Sequence, residues 1–240
     1  MSTSSALPGA QPAPGGLAAL KERLRQLAHA TLDPLVVLLA RTGARPDQVT
    51  VLGTLFSVAA GLAFFDGRSR LAAGLLLLSG LCDILDGQLA RRRGVGSRFG
   101  AFFDSTLDRV AEAAVLAGIM GFYLRNLLAL VFQSSDALAQ MAAGLDPVTW
   151  AVMAFTALLA LVASFMVSYT RARAEGLGLA CKVGWFERPE RISLLILAGL
   201  LKVFWAMSAA LLLLTVLSFW TATQRVRHVW KVTRGAGRDQ

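Results

Sequence analysis

Apolar runs of membrane-spanning length recur from about residue 47 to residue 230, and nothing else in the chain restricts its fold as strongly. Stretches such as LAAGLLLLSGLC (71–82) and AVMAFTALLALVASFMVS (151–168) are too long and too uniformly apolar for half-buried strands. About 20 apolar residues in a helix cross the ~30 Å hydrocarbon layer, and a helix satisfies its own backbone hydrogen bonds there. The pattern predicts an all-α integral membrane bundle of six transmembrane helices, preceded by an amphipathic surface helix. The spans are expected at about 47–65, 71–93, 100–124 and 147–175, with two more sharing 188–230 around a tight turn near Lys202–Ala206. A hydrophobic content of 55%, against about 45–50% in soluble domains, agrees with this reading.

The flanks differ in composition. Met1–Gly16 is small, polar and rich in Pro and Gly, which predicts a disordered N-terminus (1–16), without the basic start and apolar centre of a signal peptide. Leu17–Leu32 mixes Leu and Ala with Lys21, Glu22, Arg23 and Arg25, the pattern of a helix lying on a membrane surface, with Asp33-Pro34 expected to interrupt it. One membrane domain is expected over 17–232, followed by a polar tail (233–240). Gln133–Asp136 should form a polar loop between the third and fourth spans.

Basic residues orient the bundle. Of the 24 Lys and Arg, 19 fall on the side that holds both termini, the second-to-third and the fourth-to-fifth connections, and four on the other. Positive-inside asymmetry then predicts a multi-pass protein of the cell inner (plasma) membrane, with both termini and the 83–108 stretch facing the cytoplasm. The same placement argues against nucleic acid despite a net charge of +9, because the arginines border apolar runs and no aromatic stacking platform accompanies them. Cys82 and Cys181 lack metal or disulfide spacing, and His29 and His228 are too few for a zinc site. Any metal must be held by carboxylates.

Residues 83–108, DILDGQLARRRGVGSRFGAFFDSTLD, supply them. Asp83 and Asp86 are three apart and share one face of the second span. Gly87 and Ala90 leave room beside that face, and Arg91 carries a planar cation suited to phosphate. After a break at Gly94–Ser97, Gly100, Asp104 and Asp108 form a stripe spaced by four on the third span. Two antiparallel helices joined by so short a turn can bring all four aspartates together. Ionised carboxylates at membrane depth are costly and repel one another, and a hard divalent cation removes both problems. Carboxylates plus substrate phosphates are the usual setting for Mg²⁺, and two such ions can clamp a phosphoryl displacement.

D-x-x-D-G-x-x-A-R, eight residues, then G-x-x-x-D-x-x-x-D resembles the signature of the CDP-alcohol phosphotransferase family, with Asp83, Asp86, Gly87, Ala90, Arg91, Gly100, Asp104 and Asp108 at its fixed positions. The resemblance runs from the surface helix to the tail. It implies transfer of a phosphatidyl group from CDP-diacylglycerol to a hydroxyl, with release of CMP, in phospholipid biosynthesis. By the same resemblance Asp83, Asp86, Asp104 and Asp108 hold metal, two Mg²⁺ or Mn²⁺ ions, and Asp108 is the catalytic base. Gly87, Ala90, Arg91 and Gly100 would shape the CDP pocket. Pro46-Asp47-Gln48-Val49-Thr50 resembles a further family string, so Asp47 and Thr50 join that pocket, although Pro followed by capping residues also makes a plain helix start.

Three basic groups then end the fourth span, start the fifth and end the sixth: Ser168–Glu175, Glu187–Arg191 and Gln224-Arg225. They resemble the phosphatidylinositol phosphate synthase branch, which implies that Arg171, Arg191 and Arg225 bind the phosphate of a phosphorylated polyol acceptor. Inositol phosphate is the first expectation and glycerol 3-phosphate the alternative. Arg171 stands where that branch commonly has Lys. A homodimer in the lipid bilayer is implied by resemblance alone. A membrane prenyltransferase would need two separated Asp-rich motifs, whereas the aspartates here form one cluster. A cation transporter would place its acids at mid-span, and these lie at the helix ends.

Overall fold

The computed structural model describes residues 31–94, 97–132 and 144–236. The expected disordered N-terminus, most of the surface helix, the Gln133–Asp136 loop and residues 237–240 lie outside them. The described residues form seven helices and no strand: α1 (residues 31–41), α2 (Pro46–Phe65), α3 (Ser69–Arg93), α4 (Arg98–Phe132), α5 (Pro147–Gly176), α6 (Arg188–Leu201) and α7 (Phe204–Ala236).

Five of them, α2, α3, α4, α5 and α7, are long and apolar enough to cross a membrane, and the chain is a multi-pass membrane protein. The fifth expected span, α6, has 14 residues and so rises only about 21 Å. Lys202, in the left-handed region at φ 53°, stops it inside the predicted turn. Asp33-Pro34 is no interruption, contrary to the sequence expectation, since the helix runs through it to residue 41. A proline removes one N–H donor and only biases the residue before it. Docking decides the matter: Val36 is buried against Val49, Leu85 and Leu89, with Leu32, Leu39 and Ala40 packed alongside.

Helices α2 to α7 close a ring. Going round it, α2 packs on α3, α3 on α6, α6 on α7, α7 on α5, α5 on α4, and α4 back on α2. Glycine permits the tightest of these approaches. A Cβ on Gly118 would meet the Gly61 carbonyl oxygen, and one on Gly61 would meet the carbonyl of Ala114, so α2 and α4 touch backbone to backbone. Small residues at crossings are how helices associate where lipid supplies no hydrophobic drive. Ser57 and Ser79 hydrogen-bond at 2.8 Å across the α2–α3 contact.

The surface is apolar and the centre mixed, the inverse of a water-soluble bundle. Leu62, Phe155 and Val216 are each at least 60% exposed, while Ser164, Ser218 and Thr221 are fully buried. Away from the aspartates, Phe122, Tyr123, Trp150 and Phe204 meet mainly edge to face and line a cavity of about 270 Å³. At the other end gather the starts of α2, α4 and α6 and the ends of α3, α5 and α7. Every predicted site residue lies there.

Candidate active site

Helix α3 ends at Gly94, which adopts φ 63° as a left-handed cap, and α4 restarts at Arg98. The Ser97 hydroxyl accepts a hydrogen bond from the Gly100 N–H at 2.8 Å and caps the new helix. Across this reversal the end of α3 and the start of α4 form two walls of one cleft. Asp83, Asp104 and Asp108 each offer a carboxylate oxygen, all within 4.8 Å of one another.

Asp86 is placed differently. It is 7% exposed and accepts a 2.7 Å hydrogen bond from the Thr50 hydroxyl of α2. It faces a cleft of about 470 Å³ with Asp47, Thr50, Gly87, Ala90, Gly100 and Asp104 on its walls. Thus Asp104 belongs to both the carboxylate group and the cleft. Arg91 is exposed at the cleft's edge, its guanidinium 3.5 Å from where a Cβ on Gly87 would sit. Two basic residues that the sequence reading did not assign to this cleft, Arg45 and Arg93, line it instead. Arg93 donates to the Ala40 carbonyl at 3.0 Å and so ties α1 to the rim.

These carboxylates fit a hard divalent cation. The donors are all oxygen, three converge from two helices, and Mg²⁺ or Mn²⁺ prefers such ligands to nitrogen or sulfur.

The arginines hold the residues that the sequence reading missed. Arg188, counted there only for topology, reaches from α6 across the ring. Its Nη1 lies 2.6 Å from Asp83 Oδ2 and 2.6 Å from Asp108 Oδ1. Arg109 touches the other oxygen of Asp108 at 3.3 Å. One turn further in, Arg191 makes a two-pronged ion pair with Glu112, at 2.6 and 3.1 Å, and is 2% exposed. Glu112 continues the stripe of Gly100, Asp104 and Asp108 by another four residues, and that spacing was its available signal.

Arg171 and Arg225 converge on a single carboxylate. Glu187 Oε1 is 3.0 Å from Arg225 Nη2 and 3.6 Å from Arg171 Nη1. Arg225 also donates to the carbonyls of Val167 and Val183 and is 2% exposed. Of the three arginines expected to meet an acceptor phosphate, two therefore share one locus. Arg191 stands apart, buried against Glu112.

The sequence model described as CDP-alcohol phosphatidyltransferase matches residues 44–222. The archaetidylinositol phosphate synthase of Methanothermobacter thermautotrophicus is 36% identical over 212 residues, covering 87% of this chain and 93% of that protein. The crystal structure of Mycobacterium tuberculosis phosphatidylinositol phosphate synthase with CDP-DAG bound is similar at a TM-score of 0.66 and 35% identity, over 82% of this chain and 92% of that one. The same mycobacterial enzyme in complex with manganese and citrate gives 0.65 and 35%, over 82% and 88%.

Proposed function

The chain belongs to the CDP-alcohol phosphatidyltransferase family, and from that premise we propose that it transfers the phosphatidyl group of CDP-diacylglycerol to a hydroxyl of inositol phosphate. The observation that carries this reading is the convergence of Asp83, Asp104 and Asp108 beside the cleft of Asp47, Thr50, Asp86, Gly87, Ala90 and Gly100. A mycobacterial relative holds CDP-DAG and another structure of it holds manganese, which supports a cytidine diphosphate in the cleft and Mg²⁺ or Mn²⁺ at the carboxylates. The named relatives carry inositol phosphate in their products, so glycerol 3-phosphate is not favoured as acceptor.

Asp83, Asp86, Asp104 and Asp108 would hold the cations. Divalent ions bound there would supply positive charge to neutralise the diphosphate and the departing CMP. The acceptor oxygen attacks the lipid-bearing phosphorus, the bond to the CMP oxygen breaks, and the hydroxyl proton passes to Asp108. A base must lie within hydrogen-bond reach of its proton. Asp108 would meet this for an acceptor arriving along α4. Gly87, Ala90 and Gly100 leave the cleft wall open for a flat ring, and Arg91 sits at its edge for a phosphate. Arg171, Arg191 and Arg225 remain our candidates for the acceptor phosphate, Arg171 and Arg225 as the convergent pair. The basic residues massed at this end support a cytoplasmic placement of the site, with the protein in the inner membrane. The family resemblance also carries a homodimer, which the mass of the solubilised particle tests.

One experiment decides the reaction. Purified protein with CDP-diacylglycerol and Mg²⁺ is offered inositol phosphate, glycerol 3-phosphate, inositol and serine in turn, and CMP is quantified. Release with inositol phosphate alone is expected. Release with glycerol 3-phosphate alone would transfer the assignment to that acceptor, and no release with any of them would refute the reading.

A further inference from the structure

Glu187 and Arg188 are neighbours at the start of α6, and each already satisfies one of the two charge sites described above. Arg188 places a cation between Asp83 and Asp108, at 2.6 Å from an oxygen of each. Glu187 places an anion between Arg225 and Arg171, at 3.0 and 3.6 Å. A divalent ion bound by Asp83 and Asp108 sits about 2.0–2.6 Å from carboxylate oxygens. It would therefore claim the oxygens that Arg188 now holds. A phosphate gripped by Arg171 and Arg225 would claim the guanidinium edges that Glu187 now holds.

We propose that Glu187–Arg188 is an internal surrogate for both charged ligands, displaced by the divalent cation at one residue and by the acceptor phosphate at the other. The two exchanges share one peptide bond. Moving Arg188 off the aspartates pulls on Glu187, and moving Glu187 off the arginines pulls on Arg188. Cation and acceptor phosphate should then bind with positive coupling, which by linkage is the same in both directions.

The surroundings permit such a movement. Glu187 is 39% exposed on its side chain, so the mouth between Arg171 and Arg225 is open. Arg188 is 14% exposed on its side chain, and its Nε is buried with no hydrogen-bond partner, so the aspartates hold it through the guanidinium tip alone. By contrast, Arg191 one turn on is locked by two bonds to Glu112, which gives the segment a fixed pivot. Once released, Arg188 stands beside Asp108 with its planar donors free for a phosphate oxygen.

This rests on the function proposed above, and the test separates the two. Mn²⁺ binding to the purified full-length protein is followed by electron paramagnetic resonance of free Mn²⁺, without lipid donor, with and without inositol phosphate. In the wild type, saturating inositol phosphate should tighten Mn²⁺ by about 10-fold, within the usual range for coupled sites. Arg188→Gln should tighten Mn²⁺ several-fold in the absence of inositol phosphate and reduce the coupling to within about 2-fold. Glu187→Gln should tighten inositol phosphate and likewise flatten the coupling. Wild-type Mn²⁺ affinity that ignores inositol phosphate, or Arg188→Gln that binds Mn²⁺ no better, would overturn the surrogate while CMP release still upheld the reaction. Absence of both Mn²⁺ binding and CMP release would instead overturn the reaction and the surrogate together.

Discussion

In the proposed reaction Asp108 is the base. Arg188 holds one of its oxygens at 2.6 Å and Arg109 the other at 3.3 Å, so its position is fixed from two sides. Asp108→Asn keeps the size and much of the hydrogen bonding and removes the basic oxygen. It should lower kcat by about 10²–10⁴-fold, the usual contribution of a positioned base, while CDP binding changes little. Turnover kinetics with equilibrium nucleotide binding checks both halves, and near-normal kcat would strip Asp108 of its role. Spacing assigned helix faces and so anticipated the convergence of Asp83, Asp104 and Asp108, but not that Asp86 turns to Thr50 instead. Nor did it reveal their arginine partner. Arg188 lies 105 residues from Asp83, and no local pattern distinguishes a catalytic-end arginine from one of the many topology charges.

Two contacts between elements carry the scaffold. At the α2–α4 crossing the backbones of Gly61 and Gly118 leave no room for a methyl group. Gly118→Ala should separate the helices at a cost of roughly 1–3 kcal/mol, seen as a lower thermal midpoint in detergent. An unchanged midpoint would mean that the crossing is looser than the structure has it. The second contact is the buried Glu112–Arg191 pair, which ties α6 to α4 across the ring. Glu112→Ala leaves a guanidinium buried without a counter-charge and should destabilise by about 3–5 kcal/mol. Replacing both partners by apolar residues of similar volume should recover most of that loss, and an equally unstable double variant would argue against the pair. At this scale the apolar runs gave the number and rough position of the helices. They also placed the turn at which α6 ends, where Lys202 is left-handed, but not that the 14-residue α6 is too short to count among the spans. Pro34 misled for a related reason, since Val36 and its neighbours gain more by docking as a helix than a proline costs.

For the molecule as a whole, the ring collects six helix termini, the four aspartates of the 83–108 stretch and most of the basic side chains at one end. The far end holds an aromatic cluster around an apolar cavity, so the charged end is the one suited to a nucleotide while a lipid tail remains in the bilayer. That division suits a reaction joining a membrane-embedded donor to a water-soluble acceptor. Charge counts predict its orientation, whereas the order of helices round the ring needed three-dimensional packing. All of it presupposes that carboxylates from α3 and α4 share divalent ions. Diffraction at the manganese absorption edge, from crystals grown with Mn²⁺, tests this most directly. The account predicts anomalous density within about 2.0–2.6 Å of oxygens from Asp83, Asp104 and Asp108. Saturating Mn²⁺ with no density there, and the carboxylates still paired to Arg188, would contradict it.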